Sequence, residues 1–242
     1  MKFKPVITLM IGISLVLFLG KSPASFAYEG VPVDKGGELS GTIKFKGEPP
    51  VNPAHKVLHN PEYCGESVTD ETFLINSENR GIQNVVLSIE DIDRGKKHTP
   101  ETVVLENHKC HFVPHILTGM VGDSYEIKNS DPVLHNTHLR FEGATVLNVA
   151  MPPNGKNIIK PLTQAGVINA KCDAHTFMTG AIVVTKNPYF SVTDKNGGYQ
   201  ISDIPPGHYK LKIWHEGLPV KEKEISIKPN EKVNLSMEVG LK

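Results

Sequence analysis

Three side chains that bind soft metal ions lie within one short stretch of the chain. Cys172, His175 and Met178 follow the spacing C-x2-H-x2-M, between a strand-like run at 167–171 and another at 181–184. A thiolate, an imidazole and a thioether are the ligand types that select copper in proteins. The spacing therefore predicts a metal-binding loop over residues 172–178.

A copper site of this kind needs a second imidazole, and the sequence offers one at His135, 37 residues before Cys172. Two imidazole nitrogens and one thiolate in a plane, with a weak axial thioether, form the ligand set of blue-copper electron-transfer centres. A rigid β-scaffold suits that task because the metal then changes oxidation state without moving its ligands. We therefore expect one type 1 copper ion as the cofactor.

Five stretches of the middle of the chain follow one another in an order known from a family of copper proteins. They are Phe112–Ile116, Val121–Asp123, His135–His138, the strand that opens at Gly166, and the C-x2-H-x2-M loop. In these residues the chain resembles the cupredoxins, and the amicyanin type in particular. The resemblance implies a Greek-key β-sandwich. The copper ligands that it implies are His135, Cys172, His175 and Met178. It also implies that Asn136 ties the two ligand loops together, as residues behind metal ligands commonly do.

The chain departs from the amicyanins in two respects. It carries further domains around the cupredoxin-like unit, and Asp173-Ala174 stands where the family has Thr-Pro. The resemblance also implies that electrons leave at a partly exposed edge of His175. Phe177 and Pro132 would then belong to the apolar patch on which a redox partner docks.

Other histidines of the middle segment are also candidate ligands. His138 is three residues from His135 in an extended strand, so its side chain should point to the opposite face. His115 precedes the ligand loops and is expected at the surface or behind the ligands. Whether His115 or His138 contributes to a metal site stays open. A further cluster that could in principle hold zinc or a second copper consists of His108, Cys110, His111 and His115. As one continuous strand, these residues would alternate between two faces, which argues against a shared site.

The chain has an odd number of cysteines, Cys64, Cys110 and Cys172, so one thiol must be free, intermolecular or metal-bound. We favour a disulfide between Cys64 and Cys110, which leaves Cys172 for the metal. Such a bridge would stabilise the fold by about 4 kcal/mol in the chain-entropy model. It would also tie the first segment of the chain to the middle one.

Period-two alternation of apolar residues recurs beyond the N-terminus, and this pattern predicts an all-β protein. Turn signals divide the chain into segments at about 37–97, 98–187 and 188–242. In its runs 190–201 and 204–213 the last segment resembles the carboxypeptidase regulatory-like sandwich, which is of the transthyretin (prealbumin-like) type. The last segment lacks two strands of that family, and residues 41–45 and 84–89 could supply them. We therefore expect a second, smaller sandwich that is split, with the cupredoxin-like unit inserted in it.

Residues 1–27 have the three-part layout of a secretory signal, with a basic start, an apolar run at 6–20 and small residues before Ala27. Cleavage after Ala27 would deliver the protein to the periplasm or the outside, where disulfides form. The apolar run is shorter than the roughly 20 residues of a membrane span. A membrane is therefore an expected partner only if the segment stays uncleaved.

Lys and Arg together number 26, as do Asp and Glu, and no basic block stands out, which argues against a nucleic-acid partner. No H-E-x-x-H, G-x-S-x-G or P-loop motif occurs, so we do not expect an enzyme. The predicted function is single-electron transfer, and the resemblance to the cupredoxins implies a redox protein partner such as a cytochrome c or a periplasmic dehydrogenase. Two alternatives stay open: a copper carrier or sensor, and a metal-free adhesion or carbohydrate-binding module.

Overall fold

The computed structural model describes residues 28–241. These residues form β-strands joined by loops, with a single short helix, α1 (Pro61–Cys64), in the described range. The predicted all-β fold is therefore confirmed. The predicted signal segment at 1–27 lies outside the described residues. Between Tyr28 and Leu241, no helix combines the length and the apolar character that crossing a membrane requires.

The strands fall into three consecutive groups along the chain. The first group is β1 (Glu29–Gly30), β2 (Gly37–Phe45), β3 (Ala54–Lys56), β4 (Ser67–Thr69), β5 (Val86–Glu90) and β6 (Arg94–Gly95). The middle group is β7 (Thr102–His108), β8 (His111–Val113), β9 (Ile116–Met120), β10 (Ser124–Asn129), β11 (His135–Phe141), β12 (Ala144–Met151), β13 (Ile158–Pro161), β14 (Gly166–Lys171) and β15 (Thr179–Thr185). The last group is β16 (Phe190–Val192), β17 (Gly198–Ile204), β18 (Gly207–His215), β19 (Leu218–Ile227), β20 (Lys232–Asn234) and β21 (Met237–Val239).

The middle group folds into a sandwich of two sheets. One sheet has the strand order β13-β10-β7-β8, and the other has the order β12-β11-β14-β15-β9. Apolar side chains from both sheets share one core, in which Leu105, Ile127, Leu139 and Ile182 are all fully buried. Strand alternation explains the packing, since every second residue of β11 from its start faces this core.

The first and last groups share a second sandwich. Its sheets have the orders β16-β5-β18-β19 and β17-β2-β20, and β21 also pairs with β2. Strands β2 and β5 precede the middle sandwich in the chain, whereas all their neighbours follow it. The core of this split sandwich contains Leu39 of β2, Leu87 of β5 and Leu211 of β18, each fully buried.

The two sandwiches meet where β5 and β15 are buried on both faces. Leu87 and Ile182 face the cores of their own sandwiches, while their neighbours Val86 and Val183 pack together in a separate apolar cluster at the junction. Beside it, the buried Asn187 side chain donates a hydrogen bond to the Ile89 carbonyl at 2.8 Å. The junction therefore combines apolar packing with a satisfied polar contact.

Removing apolar volume from either half of the split sandwich should destabilise the same folding unit. We expect Leu87→Ala and Leu211→Ala each to lower the free energy of unfolding by about 2–5 kcal/mol, because both side chains are fully buried. Urea denaturation followed by the fluorescence of Trp214, the chain's single tryptophan, measures the change. Val220→Ala is the control, since Val220 is half exposed. Equal stabilities of all three variants would contradict the shared core.

Candidate metal centre

The pairing of two strands places the candidate ligands at one edge of the five-stranded sheet. β11 and β14 run antiparallel with His138 opposite Lys171, so His135 and Cys172 come together where β11 begins and β14 ends. The loop from Cys172 to Met178 then leads into β15. Two backbone hydrogen bonds close this loop: Cys172 N–H donates to Met178 O at 3.1 Å, and Met178 N–H donates to His175 O at 2.8 Å.

The structure brings two imidazoles against one thiol sulfur. Cys172 Sγ lies 4.0 Å from His135 Nδ1 and 3.8 Å from His175 Nδ1. Bonds of about 2.0 Å to nitrogen and 2.3 Å to sulfur at a trigonal metal would separate such donors by about 3.8 Å. The donor set therefore fits a first-row metal ion with little movement. All three side chains are essentially excluded from solvent, with at most 1% of their surface exposed.

The sulfur is held in place by backbone groups from both ligand loops. The N–H groups of Asn136 and His175 each donate to Cys172 Sγ at 3.3 Å. The Asn136 side chain in turn accepts a hydrogen bond from the Asp173 N–H at 3.2 Å, so it joins the β11 end to the 172–178 loop. These contacts fix the position of the sulfur, and sulfur binds metals as a thiolate.

Burial keeps both imidazoles neutral. Desolvation lowers the pKa of His135 and outweighs the opposing effect of the Asp131 carboxylate. Desolvation also lowers the pKa of His175, with a further contribution from nearby His135. A neutral imidazole keeps a lone pair for a metal, so both rings are in the ligand-ready form. The His59 backbone acts in the opposite direction, raising the pKa of His175, but it does not outweigh burial.

Met178 also lies inside the middle sandwich, at the end of the same loop. Its side chain is 2% exposed and belongs to the apolar cluster that contains Cys172. A buried thioether at this position is of the type that serves as a weak axial ligand.

Asp131 is a residue of the site that the sequence analysis did not identify. Its Oδ2 lies 2.8 Å from His135 Nε2, and both side chains are fully buried. It also accepts the backbone N–H groups of Lys109 and Cys110, at 2.7 and 2.8 Å, and the Tyr63 hydroxyl at 2.7 Å. Burial raises the pKa of Asp131, but these hydrogen bonds outweigh burial and hold the pKa below its ordinary value. The only local signal was its position four residues before His135, inside a stretch typical of a turn.

A segment of the first group covers the ligand end of the middle sandwich. We call residues 53–71, which contain β3, α1 and β4, the covering segment. Cys64 of this segment forms a disulfide with Cys110, with a Cα–Cα distance of 5.6 Å. Val68 and Thr69 line a small cavity together with Phe177 and Met178 of the ligand loop. The covering segment is thus fastened over the site.

The covering segment corrects the expectation of an exposed His175 edge. His175 is 1% exposed. The backbone of His59, in the covering segment, is close enough to the His175 ring to raise its pKa against the effect of burial. Phe177, expected in an open docking patch, is half-buried beside the same segment, whereas Pro132 is exposed. The resemblance to the cupredoxins could not have indicated this burial. It rests on stretches between Phe112 and Met178, and the covering segment lies outside them.

The remaining histidines are placed away from the sulfur. His138 contacts Asp173 Oδ1 at 3.1 Å and Thr145 Oγ1 at 2.8 Å on the outer face of β11. His115 is buried at the junction, where Nε2 contacts the Glu216 carboxylate and Nδ1 lies 3.7 Å from Glu71 Oε2.

The expected alternation from His108 to His115 along one strand is wrong. The chain reverses at Lys109 and Cys110, which both have positive φ angles, so His108 lies directly opposite His111 in a hairpin. Lys-Cys lacks the glycine or asparagine typical of such turns, which is why the sequence did not reveal it. The Asp131 carboxylate accepts both turn N–H groups and thereby compensates for an unfavourable backbone.

Among residues 28–241, two groups of three potential ligand atoms converge within 4.8 Å. One group is His135, Cys172 and His175. The other group combines His135 and Asp131 with Cys110, whose sulfur is already bonded to Cys64 and therefore cannot bind a metal. The first group is the candidate metal centre.

Comparison with known proteins finds similarity over parts of the chain. One family model matches, described as polysaccharide lyase family 4, domain II, over residues 168–235. That range crosses from β14 into the split sandwich and omits β2 and β5, so the transthyretin type of the second sandwich stays a prediction. No curated protein matches the chain.

Several solved structures are similar to the chain over about a third of its length. An oxidised amicyanin variant is 27% identical, with a TM-score of 0.32, and the match covers 34% of this chain and 81% of that one. A purple cupredoxin from Nitrosopumilus maritimus is 20% identical over 35% and 99% of the two chains, with a TM-score of 0.31. A copper-containing nitrite reductase from Thermus scotoductus SA-01 is 22% identical over 37% and 23%, with a TM-score of 0.31. Because these TM-scores are low, a functional proposal must rest on the ligand geometry itself.

Removal of the disulfide should loosen the covering segment. We expect Cys64→Ser/Cys110→Ser to lower the free energy of unfolding by about 4 kcal/mol, because the bond closes a 46-residue separation. The buried Cys172 thiol should also react faster with a thiol reagent in native buffer. Urea denaturation and thiol labelling of the metal-free protein measure the two effects. Equal labelling rates with and without the disulfide would show that the segment does not shield the site.

The His115 contacts should make stability depend on pH. Burial lowers the pKa of His115, but the hydrogen bond and charge of Glu216, with smaller contributions from Glu71 and Asp70, raise it overall above 6.5. Protonated His115 therefore stabilises the folded state fully below pH 6.5, and this contribution is lost as the pH rises through the elevated pKa. His115→Gln should cost more stability at acidic than at alkaline pH in urea denaturation. The exposed His208→Gln is the control, and a pH-independent cost would contradict the ion pair.

Proposed function

We propose that this protein binds one copper ion in a type 1 site and passes single electrons through it. His135 Nδ1, Cys172 Sγ and His175 Nδ1 are the close ligands, and Met178 is the weak axial one. The observation that supports this most directly is the approach of two imidazole Nδ1 atoms to one buried sulfur, at 4.0 and 3.8 Å. Two imidazoles and one thiolate with a nearby thioether are the donor set of blue-copper centres, whereas structural zinc sites take four closed ligands.

The protein's own part in this chemistry is to hold the donors still. Copper, when bound, supplies the one-electron couple. Cys172 Sγ is fixed by two backbone N–H groups, His135 by the Asp131 carboxylate, and the loop by its own backbone hydrogen bonds. Residues held by such supporting contacts keep their geometry when the charge at the site changes. That property favours electron transfer.

Burial distinguishes electron transfer from the carriage of copper. A carrier must hand its metal to another protein, which requires ligands that an incoming ligand can reach. Here all three close ligands are at most 1% exposed, and the covering segment is fastened over them by a disulfide. Retention of the metal is therefore the better match to the structure than exchange.

We also propose that the protein works outside the cytoplasm as a partner of another redox protein and is not itself an enzyme. The Cys64–Cys110 disulfide supports this location, because such bonds persist in oxidising compartments. The partner class remains that expected from the resemblance, a cytochrome c or a periplasmic dehydrogenase. The exposed apolar residues Pro132 and Leu134, beside His135, are candidates for contact with it.

Addition of Cu(II) to the purified mature protein tests the proposal. We expect one equivalent to bind and to produce an intense thiolate-to-copper band in the visible spectrum. Cys172→Ser should abolish that band, and His135→Gln should abolish it or change it strongly, since each removes a close ligand. His208→Gln, an exposed histidine of the split sandwich, is the matched control and should leave the band unchanged.

The other outcomes identify the alternatives. A tight, colourless Cu(I) complex with no stable Cu(II) form would favour a copper carrier. A protein that binds no stoichiometric copper would favour a metal-free adhesion or carbohydrate-binding module. Either result would overturn electron transfer.

A further inference from the structure

A chain of hydrogen bonds runs from the covering segment to the candidate ligand His135. Tyr63 of helix α1 donates its hydroxyl to Asp131 Oδ1 at 2.7 Å. The other carboxylate oxygen, Oδ2, lies 2.8 Å from His135 Nε2. Tyr63 is partly exposed, at 38%, whereas Asp131 and His135 are buried, at 2% and 0%. A side chain at the surface is thus joined through one buried carboxylate to the metal centre.

The carboxylate decides which nitrogen of His135 faces the sulfur as an acceptor. A carboxylate accepts hydrogen bonds, so the proton of the neutral His135 ring resides on Nε2 and the lone pair on Nδ1. Nδ1 is the nitrogen that lies 4.0 Å from Cys172 Sγ. A carboxylate behind a ligating imidazole fixes its orientation and makes it a stronger base. A stronger base stabilises Cu(II), the more highly charged state, more than Cu(I).

Tyr63 acts on the same carboxylate in the opposite sense. Its hydroxyl donates to Asp131 and so withdraws electron density from the oxygen atoms. With that donor in place, the carboxylate accepts less strongly from His135 Nε2–H. Loss of the tyrosine hydroxyl would therefore strengthen the effect of Asp131 on the ring, whereas loss of the carboxylate charge would weaken it.

We propose that the covering segment adjusts the metal centre through this chain, with Asp131 as a positioning residue for His135 and Tyr63 as the group that moderates it. The inference rests on the proposed copper function. Its rival is a purely structural role, since Asp131 also accepts the N–H groups of Lys109 and Cys110 in the β7–β8 turn. The two explanations differ in the sign of the effects that the variants produce.

The reduction potential of the copper-loaded protein separates the two explanations. Asp131→Asn should raise the potential and lower Cu(II) affinity by about 10- to 100-fold, with a smaller change in Cu(I) affinity. Tyr63→Phe should lower the potential. Tyr28→Phe is the matched control, because the Tyr28 hydroxyl donates to the Lys96 carbonyl in another part of the chain, and it should leave the potential unchanged. Shifts of the same sign in Asp131→Asn and Tyr63→Phe would show general loosening of the site and overturn the proposal.

A second measurement needs no metal. Nitrogen-15 NMR of the metal-free protein should show the His135 ring protonated at Nε2, and this preference should weaken in Asp131→Asn. A ring protonated at Nδ1 in the unsubstituted protein would overturn the inference. Failure to bind copper would overturn the proposed function while leaving this tautomer result intact, so the two failures are distinguishable. If Asp131→Asn does not fold, Tyr63→Phe still tests the sign of the shift.

Discussion

The antiparallel pairing of β11 with β14 is the constraint on which the site depends. It sets His138 opposite Lys171 and thereby brings the beginning of one strand against the end of the other. A slip of one residue would turn His135 from the core to the outer face, because side chains alternate along a strand. The buried Leu139 and Ala170, which are directly opposite each other, oppose such a slip. The packing that stabilises the sandwich therefore also positions the donor atoms.

Hydrogen bonds from residues around this pairing hold the candidate ligands in position. Backbone N–H groups hold the sulfur, Asn136 joins the two ligand loops, and Asp131 stands behind His135. Asp131 also stabilises the turn that carries Cys110, and Cys110 anchors the covering segment. One buried carboxylate therefore links the ligand, the turn and the cover. This sharing explains how a charged group can be retained in the interior, since each of its oxygens accepts two hydrogen bonds.

The sequence was informative wherever the signal was local. Period-two alternation indicated an all-β chain, and the spacing from Cys172 to Met178 indicated a loop of which the structure brings Cys172 and His175 near His135. The contacts of the covering segment were not predictable in this way, because Tyr63 and Asp131 are 68 residues apart and no local pattern relates them. The turn at Lys109 and Cys110 could not be predicted from the sequence, because neither residue type favours the left-handed backbone that both adopt. Its stability comes from Asp131, which is distant in the chain.

The insertion of one sandwich into another has a consequence for the order in which the protein can form during synthesis. β2 and β5 emerge before the middle sandwich, but their neighbours emerge only after it: β16 and β18 for β5, and β17, β20 and β21 for β2. Until the residues from Phe190 onward arrive, these two strands have exposed edges, and such edges invite association with other chains. Cys64 and Cys110, by contrast, are both available early. The disulfide between them can therefore link the covering segment to the residues of the middle sandwich before the last strands have been synthesised.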